Sequence, residues 1–366
     1  IMAYTTIDDP SAHFQIATWT GNDSNDSTTQ TITNDGNSDL RPDWVWVKQR
    51  SHAAKHHLVD STRGAGIRLV SDNSDAEEDQ GTNHGVIGFH SDGFNVGHRF
   101  YGTNDNGYTY VGWQWKANGG TTSSFTESGN NPGGTIQTNT TAGFSIITTT
   151  GTGNTGTIAH GLGAVPEIII SKQRSNGENW AVYHGSNTSA PETEILTLNT
   201  TDATADNANG YNDTAPTSSV FTVHTKNEVN TDARTYVHYV FTPIQGYSKF
   251  GSYTGNGDAT NGPFVYTGFK PAWIMQKRTD SADSWYMWDV KRALDSQGYF
   301  NRNDKYLQAN SNGVQSTGAG FDFLSNGFRP VSTNAGYINA SGGTYIYMAF
   351  AEHPFVSSEG VPTTAR

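Results

Sequence analysis

The chain has no cysteine, few charged residues and no long apolar run. Without cysteine, neither disulfides nor thiolate-bound metals can form, which favours assembly in a reducing cytoplasm. No apolar stretch approaches the roughly 18 residues of a membrane span, and no charged-then-apolar leader is visible. The 22 basic and 34 acidic residues give a net charge of −12 without a basic stripe, which argues against duplex nucleic acid as a partner.

What the chain does contain is typical of an all-β protein. Its 41 glycines stand among many threonines, asparagines and aromatic residues, which suits short strands joined by tight turns. Sustained helical periodicity is missing. The best helical candidate is residues 284–294, but its repeat counterpart at 179–184 looks like a strand, so we interpret both as strands. Consecutive apolar residues at 44–47 and 168–170 predict strands that are buried on both faces or central in a sheet.

A threefold repeat organises the sequence. A proline is followed by a short apolar strand and, six positions later, by a lysine, at residues 42–48, 166–172 and 271–277. Each copy is preceded by a strand ending in a glycine turn and closes on a tyrosine-containing strand. His56, Trp180 and Trp285 share the position fourteen residues after the proline. Because units of about 100 residues can each bury a core, the repeat predicts tandem domains rather than a solenoid.

We therefore predict an all-β fold of three tandem β-sandwich, jelly-roll-like domains of about 100 residues each. The predicted divisions are an N-terminal segment, 1–13; repeat 1, 14–118; a Gly/Thr/Ser/Asn-rich linker, 119–143; repeat 2, 144–246; repeat 3, 247–356; and a C-terminal tail, 357–366. We call the three repeats units 1, 2 and 3.

Catalytic residues should break the repeat, because a structural unit that is copied three times explains the residues that its copies share. An Asp and an Arg three positions apart occur in units 1 and 3, whereas unit 2 has His and Asn there: Asp60 and Arg63, Asp289 and Arg292, His184 and Asn187. Such a pair either pins a turn, which we favour, or forms an acid and cation pair in an active site.

Two further groups of residues suggest metals only weakly. His52, His56 and His57 lack an acidic residue at helical spacing, so we expect polar strand or loop histidines and no metal site or cofactor. Acidic loops at 23–26, 72–77 and 202–206 could offer oxygen ligands to calcium. They lack the spacing of an EF-hand, and solvated Asx turns are the favoured interpretation.

Aromatic residues are the remaining resource for binding. Trp180 and Trp285 share one repeat position, which predicts that they belong to the core. Trp113 and Trp115 lie beside the predicted linker and are less constrained by the repeat. These two are therefore the candidate ligand-binding residues, because an exposed indole can stack on a sugar ring.

Several segments carry a family resemblance: residues 2–14, 156–163, 179–184 and 340–350, with the chain end at 355–366. They resemble a repeat-containing family of tailed, mainly marine, bacteriophages whose members are described as tail-fibre or virion structural proteins. The resemblance covers essentially the whole chain. It implies a virion surface protein that is assembled in the host cytoplasm and contacts other virion proteins, and it supplies no catalytic residues.

Three virion roles follow from that resemblance. The preferred one is a tail-fibre or receptor-binding protein that contacts host surface glycans, expected to be a homo-oligomer and, as a fibre, a trimer. The alternative is a capsid decoration protein, in which three similar domains cap a site of threefold symmetry. A polysaccharide-degrading tail enzyme is least supported, because glycoside hydrolysis needs two carboxylates at a defined separation. We therefore expect no enzymatic activity.

Overall fold

The same order of four strands occurs three times along the chain. The computed structural model describes residues 4–99, 102–292, 301–331 and 336–363, and it confirms the all-β class. Helices within these residues are short: α1 (Ala208–Tyr211), α2 (Asn227–Asn230), α3 (Gly336–Asn339) and two 3-10 turns, Pro10–Ala12 and Pro191–Thr193. No helix in the described ranges is long and apolar enough to cross a membrane.

Unit 1 contains a main sheet of order β1-β9-β3-β4, a smaller sheet of order β2-β8-β7 and the pair β5-β6. Its strands are β1 (Phe14–Thr20), β2 (Gln30–Ile32), β3 (Trp44–Gln49), β4 (His57–Asp60), β5 (Ile67–Arg68), β6 (Glu78–Asp79), β7 (Val86–His90), β8 (Gly93–Val96) and β9 (Thr109–Trp115).

Unit 2 contains a sheet of order β10-β11-β12-β19-β14-β15-β16-β17 and the pair β13-β18. Its strands are β10 (Ser123–Phe125), β11 (Gly133–Asn139), β12 (Phe144–Thr150), β13 (Gly156–Ala159), β14 (Ile168–Gln173), β15 (Trp180–His184), β16 (Glu194–Thr197), β17 (Ala205–Asp206), β18 (Val220–Val223) and β19 (Thr235–Phe241).

Unit 3 contains a sheet of order β20-β27-β22-β23-β24-β25-β26-β21. Its strands are β20 (Ser248–Thr254), β21 (Val265–Tyr266), β22 (Phe269–Arg278), β23 (Trp285–Asp289), β24 (Arg302–Gln308), β25 (Ser316–Leu324), β26 (Gly327–Val331) and β27 (Thr344–Pro354).

The repeat is therefore present in the structure as well as in the sequence. The orders β1-β9-β3-β4, β12-β19-β14-β15 and β20-β27-β22-β23 correspond strand by strand. Their registers also agree: the central strand of each unit pairs with its closing strand through Trp46 and Trp113, Ile170 and Tyr239, or Met275 and Met348. Strands β15 and β23 confirm that residues 180–184 and 285–289 are extended. The strand predicted over 284–294 ends earlier, because residues 290–292 form a turn, and residues 293–294 lie outside the described ranges.

One large apolar cluster contains residues of all three units, and each unit also has a cluster of its own. Side chains alternate along a strand, so each central strand sends one face to the common cluster and the other to its own unit's cluster. In β3, Trp44 and Trp46 belong to the common cluster, while Val45 and Val47 belong to that of unit 1. This two-sided burial confirms the prediction made from consecutive apolar residues.

The predicted linker at 119–143 needs correction, because it carries strands β10 and β11. Strand β11 pairs with β12 over its whole length, from Gly133 opposite Thr150 to Asn139 opposite Phe144. Its composition is small and polar because it lies near the edge of the sheet, and a Cβ at Gly134 would lie 1.7 Å from the Thr148 carbonyl oxygen. The segment is thus part of the unit 2 sheet.

The glycine turn before each repeated proline strand is held by the same three residues in every unit. A Cβ on Gly151 would meet the Thr231 carbonyl oxygen at 2.2 Å, so only glycine fits there. The buried Asn230 side chain accepts the next backbone N–H, from Thr152, at 2.9 Å, and the Tyr236 hydroxyl accepts the Thr231 N–H at 2.6 Å. The equivalent residues are Gly21, Asn104 and Tyr110 in unit 1 and Gly255, Asn339 and Tyr345 in unit 3.

Candidate functional site

The recurring Asp and Arg pairs are buried and pin turns, as the favoured interpretation predicts. Asp60 accepts the backbone N–H groups of Thr62 and Arg63 at 3.0 and 2.8 Å and the Arg63 Nε at 2.5 Å. Asp289 likewise binds the backbone N–H and the Nε of Arg292, at 3.0 and 2.6 Å. Both carboxylates and both guanidinium groups are fully shielded from solvent.

The same positions also join neighbouring units. The Tyr239 hydroxyl of unit 2 donates to Asp60 Oδ2 of unit 1 at 2.7 Å. The Trp113 Nε1 of unit 1 donates to Asp289 Oδ2 of unit 3 at 2.9 Å. His184, which replaces the aspartate in unit 2, donates from Nε2 to the Tyr347 carbonyl oxygen of unit 3 at 3.1 Å. The three contacts close a ring of units, 1 to 2, 2 to 3 and 3 to 1.

A second ring is formed by the position fourteen residues after each proline. Trp180 donates from Nε1 to the Val70 carbonyl oxygen of unit 1 at 2.8 Å, and Trp285 donates to that of Thr197 in unit 2 at 2.9 Å. In unit 1, His56 Nε2 lies 3.0 Å from the Gln308 carbonyl oxygen of unit 3. Trp180 and Trp285 are buried, which confirms their prediction as core residues.

The repeated lysines form a third ring. All three are buried, and each donates to a backbone carbonyl of a neighbouring unit: Lys48 to Asn312 at 3.1 Å, Lys172 to Ser74 at 3.2 Å and Lys277 to Thr201 at 3.2 Å. Burial lowers the pKa of each lysine to about 8. The motif that defines the repeat is therefore part of the contact between units.

The three histidines that stand close together in the sequence, at 52, 56 and 57, do not gather at one site. His52 is exposed, whereas His56 is buried and its Nδ1 accepts from Trp46 Nε1 at 2.8 Å. Burial, with a smaller effect of the nearby Lys48 charge, lowers the pKa of His56 to about 3. His57 is also buried, with its Nε2 3.5 Å from Arg68. The side chains of His52, His56 and His57 thus lie in three different environments.

The two tryptophans predicted to bind a ligand are placed differently by the structure. Trp113 and Trp115 are 0% and 1% exposed and belong to the common cluster. They are therefore unavailable for stacking on a sugar ring. The strand that carries them is covered by units 2 and 3, which a reading of unit 1 alone does not show.

An open cleft of about 840 Å³ lies at one end of unit 1, bordered by the loops that follow β3, precede β6 and precede β9. Two aromatic rings stand at its rim: His52 and Tyr108 are stacked, with centroids 5.4 Å apart and planes 9° apart. Tyr108 is 39% exposed. The other polar lining residues are Gln49, Lys55, Arg68, Asp75, Glu78 and Asp105. We call this the unit 1 cleft.

Ion pairs fix the polar groups of the unit 1 cleft. Lys55 Nζ lies 2.5 Å from Asp75 Oδ2, and Arg68 is paired with Glu78. Asp105 accepts from the Tyr110 hydroxyl at 3.0 Å. The cleft thus combines a partly exposed aromatic ring with hydrogen-bond acceptors and donors, an arrangement that can bind a polar ring through stacking and hydrogen bonds.

The aromatic pair of the unit 1 cleft is specific to unit 1. The hydrogen bond from Gly21 N to the Tyr108 carbonyl corresponds to bonds from Gly151 N to Arg234 and from Gly255 N to Gly343. Positions ten residues after the repeated prolines hold His52, Asn176 and Ser281. Arg234 and Asn176 still touch, at 3.5 Å, without an aromatic ring. A comparison of the copies at turn positions is the sequence signal that would have found Tyr108.

Three residues of the types that bind metal ions also lie close together in unit 1. Asp26, His84 and His98 each offer a ligand atom, and these atoms lie within 4.8 Å of one another. They are widely separated along the chain and match no compact motif, so no sequence pattern groups them. The acidic loops at 72–77 and 202–206, by contrast, are engaged with protein groups such as Arg174 and Thr200.

These features define an all-β protein whose three repeated sheets surround one common apolar cluster. The chain belongs to a family described as a domain of unknown function (DUF7483), whose model matches residues 9–354. No curated protein and no solved structure matches the chain.

Proposed function

We propose that this protein is a non-enzymatic surface component of a tailed-phage virion that contacts host surface glycans, in the manner of a tail-fibre or receptor-binding protein. The resemblance of its terminal and repeat segments to phage virion proteins supports the virion location. The single observation that carries the glycan role is the unit 1 cleft, with Tyr108 stacked on His52 at its rim.

Glycan binding fits the chemistry of this cleft. Sugar rings have apolar faces that pack on aromatic side chains and hydroxyl groups that exchange hydrogen bonds with polar side chains. Tyr108 offers the aromatic face, while Asp75 and Asp105 offer acceptors and Lys55 a donor. An exposed aromatic residue placed at one turn of one unit, where the two other copies have none, is a feature that the repeat itself does not require.

The environment of the recurring carboxylates supports a binding role rather than a catalytic one. Asp60 and Asp289 are buried, paired with arginines and engaged with neighbouring units. A glycoside hydrolase needs two carboxyl groups facing one cleft at a defined separation. The recurring acids serve the fold instead, and the three acids that line the unit 1 cleft, Asp75, Glu78 and Asp105, are engaged with Lys55, Arg68 and the Tyr110 hydroxyl.

We also propose that each unit is a small β-sandwich of the jelly-roll kind. In unit 1 the cluster that includes Trp19, Val45, Phe94 and Val96 lies between the main sheet and the sheet β2-β8-β7, which is the packing of a sandwich. Units 2 and 3 have private clusters of their own.

Binding to an array of bacterial surface glycans tests the proposed role. We expect the intact chain to bind a subset of these glycans and Tyr108→Ala to weaken binding about tenfold or more, which corresponds to about 1.4 kcal/mol. Arg234→Ala, at the equivalent turn of unit 2, is the matched control and should bind like the unaltered chain. An intact chain that binds none of the glycans, or a Tyr108→Ala variant that binds normally, contradicts the proposal.

A capsid decoration protein is a second candidate, favoured by the closed ring of contacts. Because three pseudo-equivalent units already surround one axis within a single chain, a monomer could match a site of threefold symmetry, whereas the fibre role predicts a trimer. Density in a reconstruction of the whole virion separates the two roles: tail density supports the fibre protein, and density on capsomers supports decoration. Light scattering on the purified chain checks the associated prediction of trimer or monomer.

A further inference from the structure

The cluster of Asp26, His84 and His98 lies at the end of the smaller sheet of unit 1, where three loops meet. His84 precedes β7, His98 follows β8, and Asp26 lies in the loop between β1 and β2. The chain segments of His84 and His98 run side by side in a parallel bridge, with the His98 N–H donating to the Asn83 carbonyl at 2.6 Å. All three side chains are partly accessible to solvent.

The distances within this cluster suit a bound ion better than direct hydrogen bonds. Asp26 Oδ1 lies 3.4 Å from His84 Nε2 and 3.8 Å from His98 Nδ1. Both distances exceed the about 2.7–3.2 Å of an ordinary N–H···O hydrogen bond. Two ligand atoms that are each about 2.0–2.1 Å from a tetrahedral zinc ion lie about 3.3–3.4 Å apart. The Asp26 to His84 distance matches this spacing, and the Asp26 to His98 distance is somewhat longer. Because all three ligand atoms lie within 4.8 Å of one another, small shifts of the side chains would bring them around one ion.

The loops that carry the ligands are held in place by a second carboxylate. Asp23 is buried, and its Oδ1 accepts the backbone N–H groups of Asn25, Ser27 and Thr28 at 3.1–3.2 Å. Its Oδ2 accepts the N–H of Arg99, the residue after His98, at 2.7 Å. One side chain thus joins the loop of Asp26 to the segment of His98. The backbone beside two of the three ligands is therefore fixed by the same carboxylate.

The close approach of the two histidine segments has a cause in the sequence. A Cβ on Gly97 would lie 2.1 Å from the Asn83 carbonyl oxygen, so the residue before His98 must be glycine for the segments to meet. The geometry that brings the two imidazoles together is therefore built into the backbone.

We propose that Asp26, His84 and His98 bind a divalent transition-metal ion of the Zn²⁺ class through one carboxylate oxygen and two imidazole nitrogens. Three protein ligands leave a fourth position of a tetrahedral ion for water or an external group. The ion joins the β1–β2 loop to the ends of the smaller sheet. This proposal does not depend on the glycan-binding role, because the site lies outside the residues that line the unit 1 cleft.

Titration of the intact chain, purified without a histidine tag, with Co²⁺ and Zn²⁺ tests the site. We expect one Co²⁺ per chain, with the visible spectrum of a tetrahedral or five-coordinate ion, and displacement of Co²⁺ by Zn²⁺. His98→Ala should weaken binding at least tenfold. The control is His90→Ala, which alters an exposed histidine of the same unit outside the cluster and should leave binding unchanged.

A second variant protects the test against a loss of folding. Asp26 is exposed and has a φ of 57°, a conformation that asparagine also adopts readily, so Asp26→Asn should keep the loop intact while weakening metal binding at least tenfold. Anomalous diffraction at the zinc edge from crystals of the intact chain should show a peak between the three side chains. No saturable Co²⁺ binding, or equal binding by the Asp26→Asn variant and the intact chain, overturns the proposal.

Discussion

At the scale of single residues, we expect substitutions in the buried Asp and Arg pairs to lower the free energy of unfolding most. Replacing Asp289 by Asn leaves the shielded Arg292 guanidinium without its counter-charge, and Trp113 Nε1 loses a charged acceptor. Breaking a buried pair from one side typically costs about 3–5 kcal/mol. We expect Asp289→Asn to lower the free energy of unfolding by about that amount, measured by denaturant titration.

The control for this substitution joins the same two units at the surface. Asp35 of unit 1 pairs with Lys291 of unit 3 at 2.7 Å, and its side chain is 69% exposed. Because exposed ion pairs contribute about 0–1 kcal/mol, Asp35→Asn should change stability little. Equal losses in the two variants would mean that the contact between units, rather than the burial of charge, sets the effect.

Residue identities alone predicted the paired turns but not the exposure of the aromatic residues. Asp60 and Arg63 lie three positions apart, so their turn is a local property that the sequence contains. The burial of Trp113 and Trp115 is not local, since the second face of their strand is covered by other units. For the same reason Tyr108 replaces the two tryptophans as the candidate ligand-binding residue, because its turn position leaves the ring partly exposed.

At the scale of elements, the glycine turns depend on close contact between backbones. An alanine at Gly151 would place its Cβ 2.2 Å from the Thr231 carbonyl oxygen, so the turn after β12 and the segment that follows α2 must separate. We expect Gly151→Ala to lower the free energy of unfolding by about 1–3 kcal/mol, the usual cost of overpacking. Thermal unfolding followed by circular dichroism measures the change.

Gly336 is a suitable control for that glycine. A Cβ there meets nothing within 4 Å, and Gly336 begins the short helix α3. Alanine at a compatible position restricts the unfolded chain and is neutral or slightly stabilising. If Gly336→Ala and Gly151→Ala are equally destabilising, the close contact with the Thr231 carbonyl oxygen is not the reason for the glycine at 151.

Strands β10 and β11 mark the limit of prediction at this scale. Their Gly, Ser and Thr content has the composition of a linker, because strands at the edge of a sheet bury little and can tolerate small residues. Central strands such as β14 were predictable, since burial on both faces requires an apolar run. Pairing between β11 and β12 depends on backbone groups, which composition does not reveal.

At the scale of the whole molecule, three buried histidines make the free energy of unfolding depend on pH. Burial lowers the pKa of His56 and His238 to about 3 and that of His184 to about 4. The unfolded chain, with ordinary histidine pKa values near 6.5, then binds more protons below that pH. Their contribution to stability is complete above pH 6.5 and is lost as the pH falls towards 4.

Denaturant titrations between pH 7.5 and 4.5 check this acid dependence. Each histidine should contribute a slope of up to about 1.4 kcal/mol per pH unit below its unfolded pKa. His238→Gln removes one titrating group and can keep a hydrogen bond to Ser171 or Thr149, so its slope should be smaller by about that amount. A slope unchanged in this variant would assign the acid sensitivity to other groups.

The common apolar cluster predicts that the three units unfold together in one cooperative transition. Trp44 of unit 1 stacks on Tyr239 of unit 2 with centroids 4.3 Å apart, and the cluster continues into unit 3. Because unfolding any unit exposes the cluster faces of the other two, we expect a single calorimetric transition whose van't Hoff and calorimetric enthalpies agree. Trp44→Ala, at a typical cost of about 3–5 kcal/mol, should move that whole transition to lower temperature. Independent domains would instead give a calorimetric enthalpy about three times the van't Hoff value, and Trp44→Ala would shift only the part of the heat that belongs to unit 1.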